Sequence, residues 1–206
     1  MPNWCNNTLT LTHKDPAMIT RAKDALDRGE FLAEFCPVPQ QLQIVAGSVG
    51  DTAEQAKLEA DTARNVEELG YGNWYDYCVS EWGTKWDVGE DGATDIHPDG
   101  TMLNTYFDSA WSPPVAAYDK LVELGFGIDA YYFEGGMGYA GYYGEYGDEG
   151  IDLEGMTADD IEREHPDLND AFNISESMRE FEAENQEELT EWIKDGVEQK
   201  AKLVAE

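Results

Sequence analysis

A chain of 206 residues with 44 acids against 13 bases carries a formal charge of −31 at pH 7. That length buries a core as one ordinary domain, or as a compact domain with an appendage. The charge excludes attraction to DNA, RNA or anionic membranes and favours basic surfaces.

Halophilic adaptation also makes surfaces acidic, but such surfaces favour Arg, whereas here Lys outnumbers Arg eight to five. Solubility alone requires far less charge. With 12% aromatic residues, the core is expected to be built of Trp and Tyr slabs whose polar tips find partners at its edge. There is no apolar run near 18 residues, and Met1-Pro-Asn-Trp-Cys5 has neither the basic nor the apolar region of a signal peptide, so a cytoplasmic protein is expected. Cys5, Cys36 and Cys78 leave one over if any two pair, which favours reduced, buried thiols. His13, His97 and His165 have no second ligand at zinc spacing.

Taken in order, Asn3 to Thr12 reads as a strand, with apolar and polar residues alternating across Thr8 to Thr12. Asp15 caps a helix with Pro16 at its first position, and Met18, Ile19, Ala22 and Leu26 continue at helical spacing until Gly29. Phe31 to Pro39 is expected to pack as irregular chain ended by two prolines. Residues 40–72 form an insertion whose helix, Asp51 to Leu69, has few large apolar positions and is expected to be exposed.

Asn73 to Trp82 reads as a helix with Trp74, Tyr77, Cys78, Glu81 and Trp82 on one buried face. Gly83-Thr84 ends it, and Lys85 to Val88 is expected to open a strand, with Glu81 and Lys85 paired as ions. A second strand, Met102 to Phe107, follows the loop Gly89 to Gly100. Asp87, Asp91, Asp95 and Asp99 invite a calcium reading there, but Gly89 falls at the third position of the EF-hand register and Pro98 at the twelfth.

Ser112 is read as the cap of a helix with Pro113 and Pro114 in its first turn, and Val115, Tyr118, Leu121, Val122 and Leu124 as its apolar face, ended by Gly125. Ile128 to Phe133 is a further strand. The stretch Glu134 to Gly147 interleaves glycine with aromatics but has no basic residue and no phosphate-loop pattern. A continued strand or hairpin is expected, its glycines letting the tryptophans of 74–86 approach.

Residues 145–206 hold 21 acids and five bases. Thr157 to Asp160 has a capping-box pattern. Asn185 to Glu188 is read as opening a helix in which Leu189, Trp192, Ile193, Val197 and Val204 make an apolar stripe.

Four blocks carry a resemblance: Met1-Pro-Asn-Trp-Cys-Asn-Asn-Thr-Leu9; Asn73-Trp-Tyr75 with Trp82-Gly-Thr-Lys-Trp-Asp87; Phe107-Asp-Ser-Ala-Trp-Ser-Pro-Pro114; and Tyr132-Phe-Glu134 with Tyr139-Ala-Gly141. Together they resemble the YubB ferredoxin-like family of phage and conjugative-plasmid proteins, over most of residues 1–147. The resemblance implies an α+β fold with a β-α-β-β-α-β core, the order that the elements themselves give. It implies no activity. The expected organisation is a ferredoxin-like domain at 1–147, with a helical insertion at about 40–72, and an acidic helical extension at 148–206.

Three functions compete. The first is a non-catalytic inhibitor that sets carboxylates where phosphates would lie, in the basic groove of a host restriction, recombination or CRISPR complex. Its candidate partner-binding residues are Asp159, Asp160, Glu162, Glu164, Glu180, Glu184, Glu187, Glu188 and Glu191. The second is an enzyme or small-ligand binder with a cleft lined by Trp74, Glu81, Lys85, Trp86, Trp111 and Glu134, in which Lys85 between two carboxylates does acid–base work. The third is a structural protein of a virion. Trp4, Trp82, Pro113 and Pro114 complete the motif core. No nucleophile–base pair, metal triad or cofactor fingerprint accompanies them, so no catalytic, cofactor or metal residue is assigned.

Overall fold

The computed structural model describes residues 3–50, 52–90, 92–186 and Trp192. The chain divides into two compact units, 1–153 and 154–206. The fold is α+β, with a six-stranded antiparallel sheet and helices.

In the first unit β1 (Trp4–Thr12) leads into α1 (Pro16–Leu26), which starts at the Asp15 cap with Pro16 in its first turn. Then come α2 (Phe31–Phe35), α3 (Thr52–Leu69) and α4 (Trp74–Tyr77), the last continuing as a π-helical turn, Cys78–Trp82. The short β2 (Thr94–Ile96), β3 (Met102–Ala110), α5 (Val115–Glu123) and β4 (Gly127–Glu134) follow. Finally β5 (Tyr139–Gly144) and β6 (Gly147–Asp152) extend the sheet beyond residue 147. The strand order is β2-β3-β1-β4-β5-β6.

Period-2 alternation gives β1 two faces. Cys5, Asn7, Leu9 and Leu11 are buried, whereas Trp4, Asn6, Thr8, Thr10 and Thr12 are partly or fully exposed. The buried face meets Ile19, Ala22, Ala25 and Leu26 of α1 and Ala117, Tyr118 and Leu121 of α5 in one core. Pairing of Asn6 with Asp108 and of Thr8 with Tyr106 puts β3's Tyr106 and Asp108 on the outward face.

Several local expectations are corrected. Lys85 to Val88 is not a strand, and β2 lies instead in what was read as the loop. The cause is tertiary: the Asp87 carboxylate accepts the N–H groups of Leu32 (2.7 Å) and Ala33 (2.9 Å). Glu90 N–H bonds the Leu26 carbonyl at 2.7 Å, and Gly89, at φ +118°, packs so closely on Leu26 that a Cβ would overlap its carbonyl. This long-range cap also makes Phe31–Phe35 helical rather than irregular, since Glu30 supplies no side-chain cap. Ser112 caps nothing at α5, whose N-cap is Pro114 without a side-chain bond; its hydroxyl goes to the Gly83 carbonyl.

The insertion helix α3 is exposed as expected apart from Asn65, whose amide donates to Gln41 O (3.0 Å) and Gly72 O (3.3 Å) and so ties the two ends of the insertion together. The Gly-aromatic stretch forms β5 and leads into β6, but its glycines accommodate tyrosines, not tryptophans. A Cβ at Gly141 would overlap the Tyr132 hydroxyl, and one at Gly144 the Tyr142 ring.

In the second unit α6 (Ala158–Glu164) begins with the expected Thr157–Asp160 capping box and packs on α7 (Pro166–Phe172), which α8 (174–186) follows. Asn185 and Gln186 lie inside α8 rather than opening a helix. Trp192 is exposed; Leu189, Ile193, Val197 and Val204 lie outside the described residues.

Candidate binding groove

The conspicuous motifs converge on one place. Gly83, at φ +86°, ends the π-helical turn; a Cβ there would stand 3.0 Å from the Pro113 carbonyl, so this close approach requires glycine. Thr84 Oγ1 donates to Ala110 O at 3.0 Å and Ser112 Oγ to Gly83 O at 2.5 Å, which interlocks residues 82–87 with 109–114. Ser109 Oγ donates to Ser112 O (2.8 Å) and accepts from the buried Asn7 amide (2.9 Å), so β1 joins the same knot. Pro113 and Pro114 are buried within it.

Trp111 is held at its centre in the left-handed region, at φ +71°. A bulky residue there costs about 1–2 kcal/mol. Its N–H bonds Asn3 O at 2.9 Å and its carbonyl accepts the Tyr139 hydroxyl, while the indole stays 42% exposed. The backbone is thus strained in a way that presents a tryptophan to solvent.

The expected Glu81–Lys85 ion pair does not form. Glu81 instead accepts the Tyr71 hydroxyl and faces Lys120 at 3.7 Å. Lys85 Nζ lies among aromatic rings, 4.6 Å from the centroid of Trp86, 4.9 Å from Trp111 and 5.8 Å from Tyr75, each within cation–π range. Glu134 is also elsewhere: 2% exposed, it accepts the N–H groups of Gly136 (3.0 Å) and Met137 (2.6 Å) and closes the β4–β5 turn. Trp82 is core, its indole N–H donating to Cys36 O at 2.8 Å, and Trp74 packs against that core from its edge. The cleft expected around Trp74, Glu81, Lys85, Trp86, Trp111 and Glu134 is therefore divided. Lys85, Trp86 and Trp111 come together, and the two carboxylates do not join them.

Beside Trp86 lies a groove of about 470 Å³. Trp4 and Tyr106 of the outward sheet face and Trp86 supply its aromatic walls, and Trp4 and Trp86 stand 6.0 Å apart between centroids. Two carboxylates line it. Asp87 is engaged by backbone N–H groups, and burial raises its pKa against their influence. Asp108 is exposed and accepts from the Asn6 amide at 2.7 Å through one oxygen. Sequence reading missed Asn6 and Tyr106 as site residues; the only signal was the period-2 alternation that puts them on one face with Trp4 and Asp108.

Asp159 and Glu162 pair with Arg179 at 2.7 and 2.6 Å, and Asp160 and Glu164 pair with Arg163. They form an ion-pair network rather than an open row of carboxylates. Glu180 and Glu184 are exposed one turn apart on α8; Glu187, Glu188 and Glu191 lie outside the described residues. The three cysteines are free and buried, and burial pushes the thiols of Cys5 and Cys78 up to about 12. His13 and His97, remote in sequence, line a second cleft with Asp99. Among the described residues no group of three or more His, Cys, Asp or Glu is placed to hold a metal, and no helix is long and apolar enough to cross a membrane.

No family model matches the chain, and no curated protein matches it. Among solved structures it is similar to a crystal structure of the protein api92 from Yersinia pseudotuberculosis, of family model DUF1281. The identity is 14% and the TM-score 0.40, over 76% of this chain and 99% of that one.

Proposed function

We propose that this protein is a non-catalytic, acidic binding module of a phage or other mobile element. On this reading it occupies the basic nucleic-acid groove of a host defence complex of restriction, recombination or CRISPR type and acts as a mimic of the polyanion. The observation that carries the reading is how the few cations are used. All five arginines are paired with carboxylates of the same chain, as are Lys23 and Lys120, and Lys85 is enclosed by aromatic rings. Among the described residues most cations are thus engaged within the chain, and the net charge of −31 sets a field that favours fast, salt-sensitive association with a basic partner. The engagement of Glu81 by Tyr71 and Lys120 and of Glu134 by the Gly136 and Met137 N–H groups weighs against the particular acid–base arrangement expected around Lys85.

The origin is part of the same proposal. The order β2-β3-β1-β4, with α1 and α5 as the intervening helices, supports a ferredoxin-like reading of residues 1–147. The test is capture of partners from a bacterial lysate at about 50 and about 500 mM salt, a range over which exposed charges are strongly screened. A specific nucleic-acid-binding complex, retained at low salt and displaced by added DNA, is expected. Recovery of generic basic proteins alone counts against the reading.

A further inference from the structure

We propose that the Trp4–Trp86–Tyr106 groove is a receptor for an arginine side chain projecting from the partner's basic surface. This rests on the reading above and names the site and the recognised group. The walls are three aromatic rings, Trp4 at 48%, Trp86 at 39% and Tyr106 at 56% exposure; Lys85 covers one face of Trp86, and the exposed rings of Trp4 and Tyr106 supply the open faces. Exposed indoles and a phenol ring attract a planar cation through their π-faces. The Lys85 ammonium against Trp86 and Trp111 is this chain's own instance of that attraction.

Charge selects the occupant further. The charged residues that line the groove are Asp87 and Asp108, both acidic. Asp87 is engaged by the N–H groups of Leu32, Ala33 and Val88. Asp108 has one oxygen fixed by Asn6, and among the described residues its other oxygen has no donor. A carboxylate held by a neighbouring amide beside stacked rings suits a guanidinium, which stacks on a ring and donates in its own plane to the acid. A lysine ammonium matches only part of this arrangement. A phosphate-bearing strand stacks on the same rings but meets both carboxylates, and no Lys or Arg lines the groove to hold it.

The test uses the full chain and three capped peptides, identical except for arginine, lysine or citrulline at the central position. Binding is followed at about 150 mM salt by the indole N–H signals of Trp4 and Trp86. The arginine peptide is expected to shift both signals and to bind about tenfold more tightly than the lysine peptide, with citrulline weaker still. Asp108→Asn and Trp4→Ala are each expected to weaken the arginine peptide about tenfold while thermal unfolding stays as in the unmodified protein. Equal affinity for arginine and citrulline, or an Asp108→Asn variant that binds as well as the original, overturns the proposal. So does a single-stranded oligonucleotide that shifts the same signals. A captured partner that still binds both variants ends the groove proposal and leaves the acidic-module reading standing; arginine-selective peptide binding without a captured complex does the reverse.

Discussion

Replacing Asp87 by alanine strips the acceptor from three backbone N–H groups, those of Leu32 (2.7 Å), Ala33 (2.9 Å) and Val88 (2.8 Å). Two belong to the first turn of α2, which has no side-chain cap of its own. Losing a helix cap costs about 1 kcal/mol, and a buried group bonded to a charged partner costs about 1.5–3 kcal/mol when that partner goes. The site is only partly buried, so water recovers some of this, and a net loss of about 3 kcal/mol is expected. For a chain of this size that lowers the unfolding midpoint by roughly 6–12 °C. Phe31 and Phe35, stacked edge to face on α2, should lose their fixed environment as well. Asp87→Asn keeps one acceptor oxygen and avoids burying a charge, so about 1 kcal/mol is expected for it. Urea unfolding followed by tryptophan fluorescence measures both variants. An alanine variant within about 0.5 kcal/mol of the original would show that α2 does not depend on this long-range cap.

Three further outcomes follow from individual residues. Gly89→Ala sets a Cβ against the Leu26 carbonyl at a φ of +118°, so a loss of about 3 kcal/mol in urea midpoint analysis is expected, and unchanged stability would refute the packing. Because burial pushes the Cys5 and Cys78 thiols up to about 12, a thiol-specific reagent at pH 8 should label neither until urea unfolds the chain; rapid labelling of either in the folded protein contradicts their burial. Asp160 is held down to about 2 from 3.8, first by the Thr157 hydroxyl, then by the Thr157 N–H and Arg163. Its stabilising effect is present above 3.8 and is lost as the pH falls through about 2. A carboxyl NMR titration should show Thr157→Ala raising the value towards 3.8; a midpoint already near 3.8 in the unmodified chain would sink the argument.

Local chemistry decides much of this protein. The Asp15-Pro16 start of α1, the alternation of β1, the Thr157 capping box and the exposed insertion helix are set by residues within a turn or two of each other, and each is legible in the sequence. The charge of −31 is legible in the same way, since it is a sum that needs no fold. What could not be read is what depends on partners distant along the chain. The α2 helix exists because Asp87, more than fifty residues later, caps it, and the same bonds draw 85–88 away from a strand. Glu81 and Lys85, four apart and opposite in charge, look like an ion pair, but Tyr71, Lys120 and the aromatic rings provide competing partners that only tertiary structure brings near. The groove depends on the same cause. Trp4 and Tyr106 share a wall because β1 pairs with β3 in a register that turns Trp4, Asn6, Tyr106 and Asp108 outward together, and Trp86 joins them from the 82–87 segment that is locked to 109–114.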